Sequence, residues 1–306
     1  MVDSSCSSSN YATPALDDLL KHHLLQRNGD LVEFRHQLLQ EYYAAEWLLA
    51  KLGSLDDSTL QREYLNYLKW TEPLALMLAL VTDEALAMRV VERSLSLDLG
   101  LGARLAGEVK PNFQDNTVSQ IAAINMPTWL TVKLLGQAES EAAIPGLLKA
   151  LEDTDASVRR NAADALGKLG SEASIPGLLK ALEDSDWNVR WSAADALGKL
   201  GLEAAIPGLL QALQVLADSD WDTDAAWEVR ERAAEALGNL GSEAAVPGLL
   251  QALEHSAWDV RENAAKALGK LGSEAALPGL LQALEDADSG VRRSAAEALG
   301  KLGSAA

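Results

Sequence analysis

One phrase, Ile/Val/Leu-Pro-Gly-Leu-Leu, recurs five times in the second half of the chain, with its proline at Pro145, Pro176, Pro207, Pro247 and Pro278. The spacings are 31, 31, 40 and 31 residues. A second phrase, Val-Arg, recurs with it at Arg159, Arg190, Arg230, Arg261 and Arg292, so the nine extra residues of the third unit fall between its two phrases, in one loop. A unit of this length cannot bury an apolar face by itself, so five copies in a row must stack.

Each unit reads as two helices. In the first unit Ile144, Leu147, Leu148 and Leu151 fall at i, i+3, i+4 and i+7, one apolar stripe, and Pro145 sits near the helix start, where few amides have intrahelical partners. In the second helix Asp155 is a natural N-cap, Val158, Ala162, Ala165, Leu166 and Leu169 share a face, and Gly170 supplies a left-handed stop. The alanines leave little side chain between helices, which lets neighbours approach closely. The expected architecture over 140–306 is an all-α, right-handed α-solenoid of five units. The segment ALEDSDWNVRWSAADALGKLG (181–201) and its siblings resemble HEAT repeats of the short, phycobilisome-lyase-like kind. That resemblance implies repeats that serve as interaction surfaces. In a subset of the family they help attach bilin chromophores to phycobiliproteins.

The Val-Arg arginines invite reading as an anion-binding ladder. Each lies one turn from an acidic loop (Glu152, Asp153 and Asp155 in the first unit), so structural ion pairing between stacked copies is the preferred expectation. Function is expected on the second-helix positions that vary between copies while the stacking positions hardly change. Tryptophan stands at one slot in three central units, Trp187, Trp227 and Trp258, with Trp191 one turn along. Beside them lie Asp195, Glu231, Glu235 and Lys266. Indoles bring large apolar area and one donor, the usual makeup of interface hot spots. The expectation is a protein partner on the concave face of the second helices, against the alternative that each indole packs on its own repeat.

The stretch DSDWDTDAAWEVRE (218–231) places Asp220, Asp222, Asp224, Glu228 and Glu231 at positions 1, 3, 5, 9 and 12, the ligand spacing of an EF-hand calcium loop. Position 6, where the sharp turn wants glycine, is Ala225, and Asp224 is also the expected N-cap of the next helix. A solvated acidic loop at the edge of the binding face is therefore preferred over a calcium site.

Net charge and cysteine usage narrow the partners. A formal charge of −19 with no run of Lys or Arg argues against nucleic acid and anionic membrane. The single cysteine, Cys6, excludes an internal disulfide and a cysteine zinc cluster and fits a reducing, cytoplasmic setting. The apolar stretch LALMLALV (74–81) is too short to span a bilayer. No cofactor is indicated. The histidines His22, His23, His36 and His255 form no catalytic set, so the chain is expected not to be an enzyme.

The first third has another grammar. Residues 1–14 form a serine-rich leader expected to be disordered. Over 15–53, two short strands round Asn28-Gly29 between helical patterns suggest a winged-helix-like corner. The string FRHQLLQEYYAAEWLL (34–49) resembles the signature that ends the nucleotide-binding module of NACHT-type signalling NTPases. The resemblance implies that His36 corresponds to the histidine that contacts the nucleotide phosphate. No G-x-x-x-x-G-K-[ST] phosphate loop accompanies it. The chain then reads as the carboxyl part of a NACHT–HEAT receptor, with bilin attachment as the rival role. Residues 54–139 are expected to be irregular helices joining the two regions. The last unit ends in LGKLGSAA without a distinct polar cap, which admits self-association there.

Overall fold

The computed structural model describes residues 25–28, 31–34, 36–215 and 223–305, with side chains described over 36–214 and 227–303. The chain divides into two compact units, Met1–Phe113 and Gln114–Ala306. The leader, Cys6, His22 and His23 lie outside the described residues.

In the first unit, strands β1 (Leu25–Asn28) and β2 (Leu31–Phe34) pair antiparallel with Leu25 opposite Phe34, the hairpin expected round Asn28-Gly29. Helix α1 (Gln37–Leu52) follows, then α2 (Asp57–Leu60), α3 (Thr71–Leu80), α4 (Glu84–Leu97) and α5 (Leu99–Gly107). Asp56, Asp83 and Asp98 cap α2, α4 and α5 by accepting amides of the first turn. The core is Ala45, Leu48 and Leu52 of α1 with Leu74, Met77 and Leu78 of α3 and Val90 and Val91 of α4. Arg89 ties the α1 exit to α4: its Nε donates to Asp57 (2.6 Å) and its Nη2 to the Leu55 carbonyl (2.5 Å). Among the described residues no helix is long and apolar enough to cross a membrane.

After α6 (Pro111–Ala123) and α7 (Thr128–Gln137) the repeats begin. First helices are α8 (Ile144–Ala150), α10 (Ile175–Ala181), α12 (Ile206–Val215), α14 (Val246–Ala252) and α16 (Leu277–Ala283). Second helices are α9 (Ala156–Leu169), α11 (Trp187–Leu200), α13 (Thr223–Leu240), α15 (Trp258–Leu271) and α17 (Ser289–Ala305). Consecutive second helices pack on one another along the row, and each first helix packs on the second helix of its own unit. The repeat phrases occupy equivalent buried sites. Leu147, Leu178, Leu209, Leu249 and Leu280 are fully buried, as are Ala162, Ala193, Ala233, Ala264 and Ala295.

Glycines of the second helices, in a recurring Ala-Leu-Gly, and of the Pro-Gly-Leu-Leu phrases set how closely units approach. A Cβ on Gly167 would lie 2.6 Å from Cβ of Ala196, and one on Gly269 would lie 2.5 Å from Cβ of Ala298. Only hydrogen fits between these helices. The glycine of each Pro-Gly-Leu-Leu phrase receives the second leucine of the preceding one, Leu148 at Gly177 and Leu250 at Gly279. The expected left-handed stops hold, with φ of 69° at Gly170 and 73° at Gly272. Asp155 and Asp186 cap their helices as expected, accepting from the amides of Ser157 and Asn188.

Two expectations change. The array begins before residue 140: α7 packs on α9 in the place of a preceding second helix, with Gly136 set against Ala165 and Leu135 against Gly146. The nine extra residues of the third unit are not confined to a loop. Helix α12 has 10 residues where its siblings have 7, and α13 has 18 where α9, α11 and α15 have 14.

Candidate protein-binding face

The arginine ladder is structural, but its partners differ from those nearest in sequence. Arg159 clasps Asp184 of the next unit through two bonds, Nε to Oδ2 (2.7 Å) and Nη2 to Oδ1 (2.8 Å), while its Nη1 donates to the carbonyls of Asp153 and Thr154 in its own loop. Arg261 repeats this with Asp286 (2.7 and 2.9 Å) and the carbonyls of His255 and Ser256. Both pairs are nearly buried, with 12–15 % side-chain exposure. The bond to Asp184 holds the Arg159 guanidinium above its ordinary pKa. Burial opposes ionisation of Asp184, yet Arg159 and the Asp186 amide outweigh it and keep the carboxyl below its usual range. The carboxyl of Asp286 is lowered first by its bond to Arg261.

Arg190 is 6 % exposed and gives Nη1 to the carbonyls of Asp184 and Ser185, and burial pushes its guanidinium pKa down. Its counterpart acid by register, Asp224, lies outside the described side chains. With Nε, Nη1 and Nη2 all donating to the scaffold, Arg159 and Arg261 of the first and fourth units offer no anion ladder to a ligand.

The variable face is built on α11, α13 and α15. The four tryptophans divide rather than forming one stripe. Trp187 and Trp258, each the first residue of its helix, are 37 % and 50 % exposed. Trp227 is half-buried. Trp191 is half-buried too, and the guanidinium of Arg232 lies 4.6 Å from its ring centroid, a cation–π contact across two units.

That arginine starts a chain of alternating charges over three second helices. Lys199 Nζ meets Asp195 Oδ2 (2.6 Å) and Arg232 Nη1 meets Asp195 Oδ1 (3.7 Å). Arg232 also meets Glu235 (2.7 Å), and Lys270 meets Glu235 (3.4 Å). The strip pairs three cations with two carboxylates and borders a shallow cleft of about 150 Å³ floored by Gly198 and Ala236. Lys266 is exposed and pairs with Glu262 (3.0 Å), and Glu231 is half-buried on α13. On the same helix α15, Asp259, Glu262 and Asn263 are buried, at 6 %, 7 % and 1 % exposure. The fourth unit turns these positions toward its neighbours.

The remaining candidates do not gather. His36 is exposed ahead of α1 and makes no side-chain cap. Asp220 and Asp222 lie outside the described residues. The backbone is helical from Thr223, so Asp224 is inside α13 rather than its N-cap, and Glu228 and Glu231 follow on the same helix. Among the described residues no three His, Cys, Asp or Glu side chains are grouped to hold a metal ion.

In the first unit the signature region carries an aromatic cluster that the sequence reading missed. Tyr64 meets Trp70 edge-on at 4.9 Å, and Trp47 lies 6.3 and 6.5 Å from them, 48 % exposed.

Stacked helical pairs with constant joints and a variable row of side chains define an α-solenoid repeat protein. The family model for HEAT repeats matches residues 128–184, 144–223 and 221–300, and the chain belongs to the HEAT-repeat family. The first match begins at the first residue of α7, in accord with its place in the stack. No curated protein matches. Among solved structures, the complex of CpcE and CpcF of phycocyanin lyase from Nostoc sp. PCC7120 is 30% identical over 73% of this chain and 78% of that chain, with a TM-score of 0.37. An engineered protein is 25% identical over 68% and 97% of the two chains, with a TM-score of 0.38. A computationally designed armadillo repeat protein for modular peptide recognition is 22% identical over 61% and 98%, also with a TM-score of 0.38. At these TM-scores the superpositions decide nothing, and family membership rests on the repeat match.

Proposed function

We propose that the chain is a non-enzymatic protein-binding scaffold whose partner lies on the second-helix face, anchored by Trp187 and Trp258. The supporting observation is the contrast within that face. Its charges from Lys199 to Lys270 are already paired with one another, while two large indoles on equivalent positions of α11 and α15 remain 37 % and 50 % exposed. Exposed tryptophan on a rigid helix start brings apolar area at little ordering cost. The FRHQLLQEYYAAEWLL signature favours placing this scaffold on the sensor side of a NACHT-type signalling protein. The rival role is bilin attachment, as a lyase-like subunit or chaperone.

The test is affinity capture from the source cell with the unaltered chain and with Trp187→Ala/Trp258→Ala, each checked by circular dichroism. One specific protein lost from the variant at unchanged helicity supports the face. Equal capture by both refutes it. A bilin absorbance change on mixing with free chromophore, with no protein captured, decides for the rival.

A further inference from the structure

The junction between the third and fourth units departs from its siblings in the same direction at two separate places. At the first and last junctions the Val-Arg arginine clasps the aspartate six residues ahead of the next arginine, Asp184 or Asp286. In the fourth unit that position is His255. Its Nδ1 accepts the Ala257 amide (3.1 Å), just as Asp184 and Asp286 accept the amides of Asp186 and Asp288 (2.8 Å each). A carboxylate has a second oxygen left for a guanidinium fork. An imidazole in that role has none. Arg230 instead pairs with Asp259, four residues and one helical turn further along.

The second departure lies on the following turns of the same helices. Gly167, Gly198 and Gly269 face the equivalent alanines Ala196, Ala236 and Ala298. Gly238 would by that register face Ala267, but it faces Lys270, three residues later, with 2.9 Å from a built Cβ to the Lys270 Cβ. The first helices keep their register, since Leu210 sits at Gly248 as Leu250 sits at Gly279. The displacement is confined to the second helices and amounts to about one turn, roughly 5 Å along the axis.

We infer that His255 and Asp259 are positioning residues that hold α15 one turn out of the register of the other second helices, and so set where Trp258 stands relative to Trp227 on the variable face. The identity of one loop residue thereby selects between two ways of docking the same helix pair. At the first and last junctions an acid at that position, Asp184 or Asp286, draws the arginine to the first register.

The experiment is disulfide mapping in a Cys6→Ser background. Oxidation of Gly238→Cys/Lys270→Cys is compared with Gly238→Cys/Ala267→Cys, both read by gel mobility, since a disulfide needs Cβ atoms about 3.5–4.5 Å apart. The 238/270 pair should oxidise at least tenfold faster. Adding His255→Asp with Asp259→Asn should invert the preference. A faster 238/267 pair in the His255 background, or a preference unmoved by the exchange, overturns the inference. Should cysteine at 238 prevent folding, thermal unfolding of Arg230→Met, Asp259→Asn and the double variant decides. Non-additive losses of several degrees support the displaced pairing, and additive losses overturn it. None of these readouts involves a partner, so they are independent of whether the face binds one.

Discussion

Removing the Asp184 carboxylate tests the account of how the units are joined. Asp184→Ala leaves Arg159 with its two loop carbonyls but without the two-bond clasp, in a pocket where the side chains are 13 % and 12 % exposed. Breaking a fully buried pair costs about 3–5 kcal/mol and an exposed one about 0–1. The retained carbonyls place this pair near 2 kcal/mol. Loss of the bond from the Asp186 amide to Asp184 adds about 1 kcal/mol. The sum of about 3 kcal/mol corresponds to a drop in melting temperature of roughly 6–12 °C for an array of this size. Calorimetry on the single variants and on Asp184→Ala/Arg159→Met should give a coupling energy of about 1.5–2 kcal/mol. Glu152 and Lys180 provide the control, since their 2.8 Å pair is 65 % and 74 % exposed. Glu152→Ala should leave the melting temperature unchanged. A coupling below about 0.5 kcal/mol at 159/184, or an equal loss from Glu152→Ala, would refute the claim that the ladder holds the units together.

Other consequences follow from the same joints. Asp184 and Asp286 are held below the ordinary carboxyl pKa of 3.8, so the stability they contribute is fully present above that value and is lost as pH falls through their lowered native values; acid unfolding of Asp184→Asn/Asp286→Asn should show a flatter pH dependence there. Replacing Gly170, whose φ is 69°, with valine should cost about 1–2 kcal/mol by thermal unfolding, because a branched side chain is strained in the left-handed region. Leu178→Ala, at a fully buried position with no room to collapse, should cost about 2–5 kcal/mol in urea unfolding. Trp187→Ala/Trp258→Ala should change stability by less than about 1 kcal/mol, since both rings are substantially exposed.

Much of the array was legible because its signals are local and repeated. A proline near each first-helix start, an aspartate at Asp155 and Asp186 and a glycine at Gly170 and Gly201 act within their own unit, and five copies make the period plain. What escaped depends on the neighbour. Helix α7 lacks the Pro-Gly-Leu-Leu phrase and announces itself only through Leu135-Gly136, an echo of the Ala-Leu-Gly that fits against the next unit's alanine. The pairing of Arg159 across a joint was expected between stacked copies, but which acid takes it, Asp184 lying 25 residues away, is set by the neighbouring unit. The tryptophans share a slot, but α13 begins four residues ahead of that slot and Trp191 lies beneath an arginine of the next unit, so equal register did not give equal exposure. The displacement at His255 was silent because a single Asp-to-His exchange looks like surface variation until its acceptor count is set beside the guanidinium it must serve.

Site-specific photo-crosslinking in the source cell tests the binding face most directly. A benzophenone side chain is placed at Trp187 or Trp258 on the second helices, or at Lys149 or Gln251 on the exposed side of first helices. The account predicts that one and the same protein is captured covalently from 187 and from 258, and not from 149 or 251. Capture from the first-helix positions with none at 187 and 258 would contradict it.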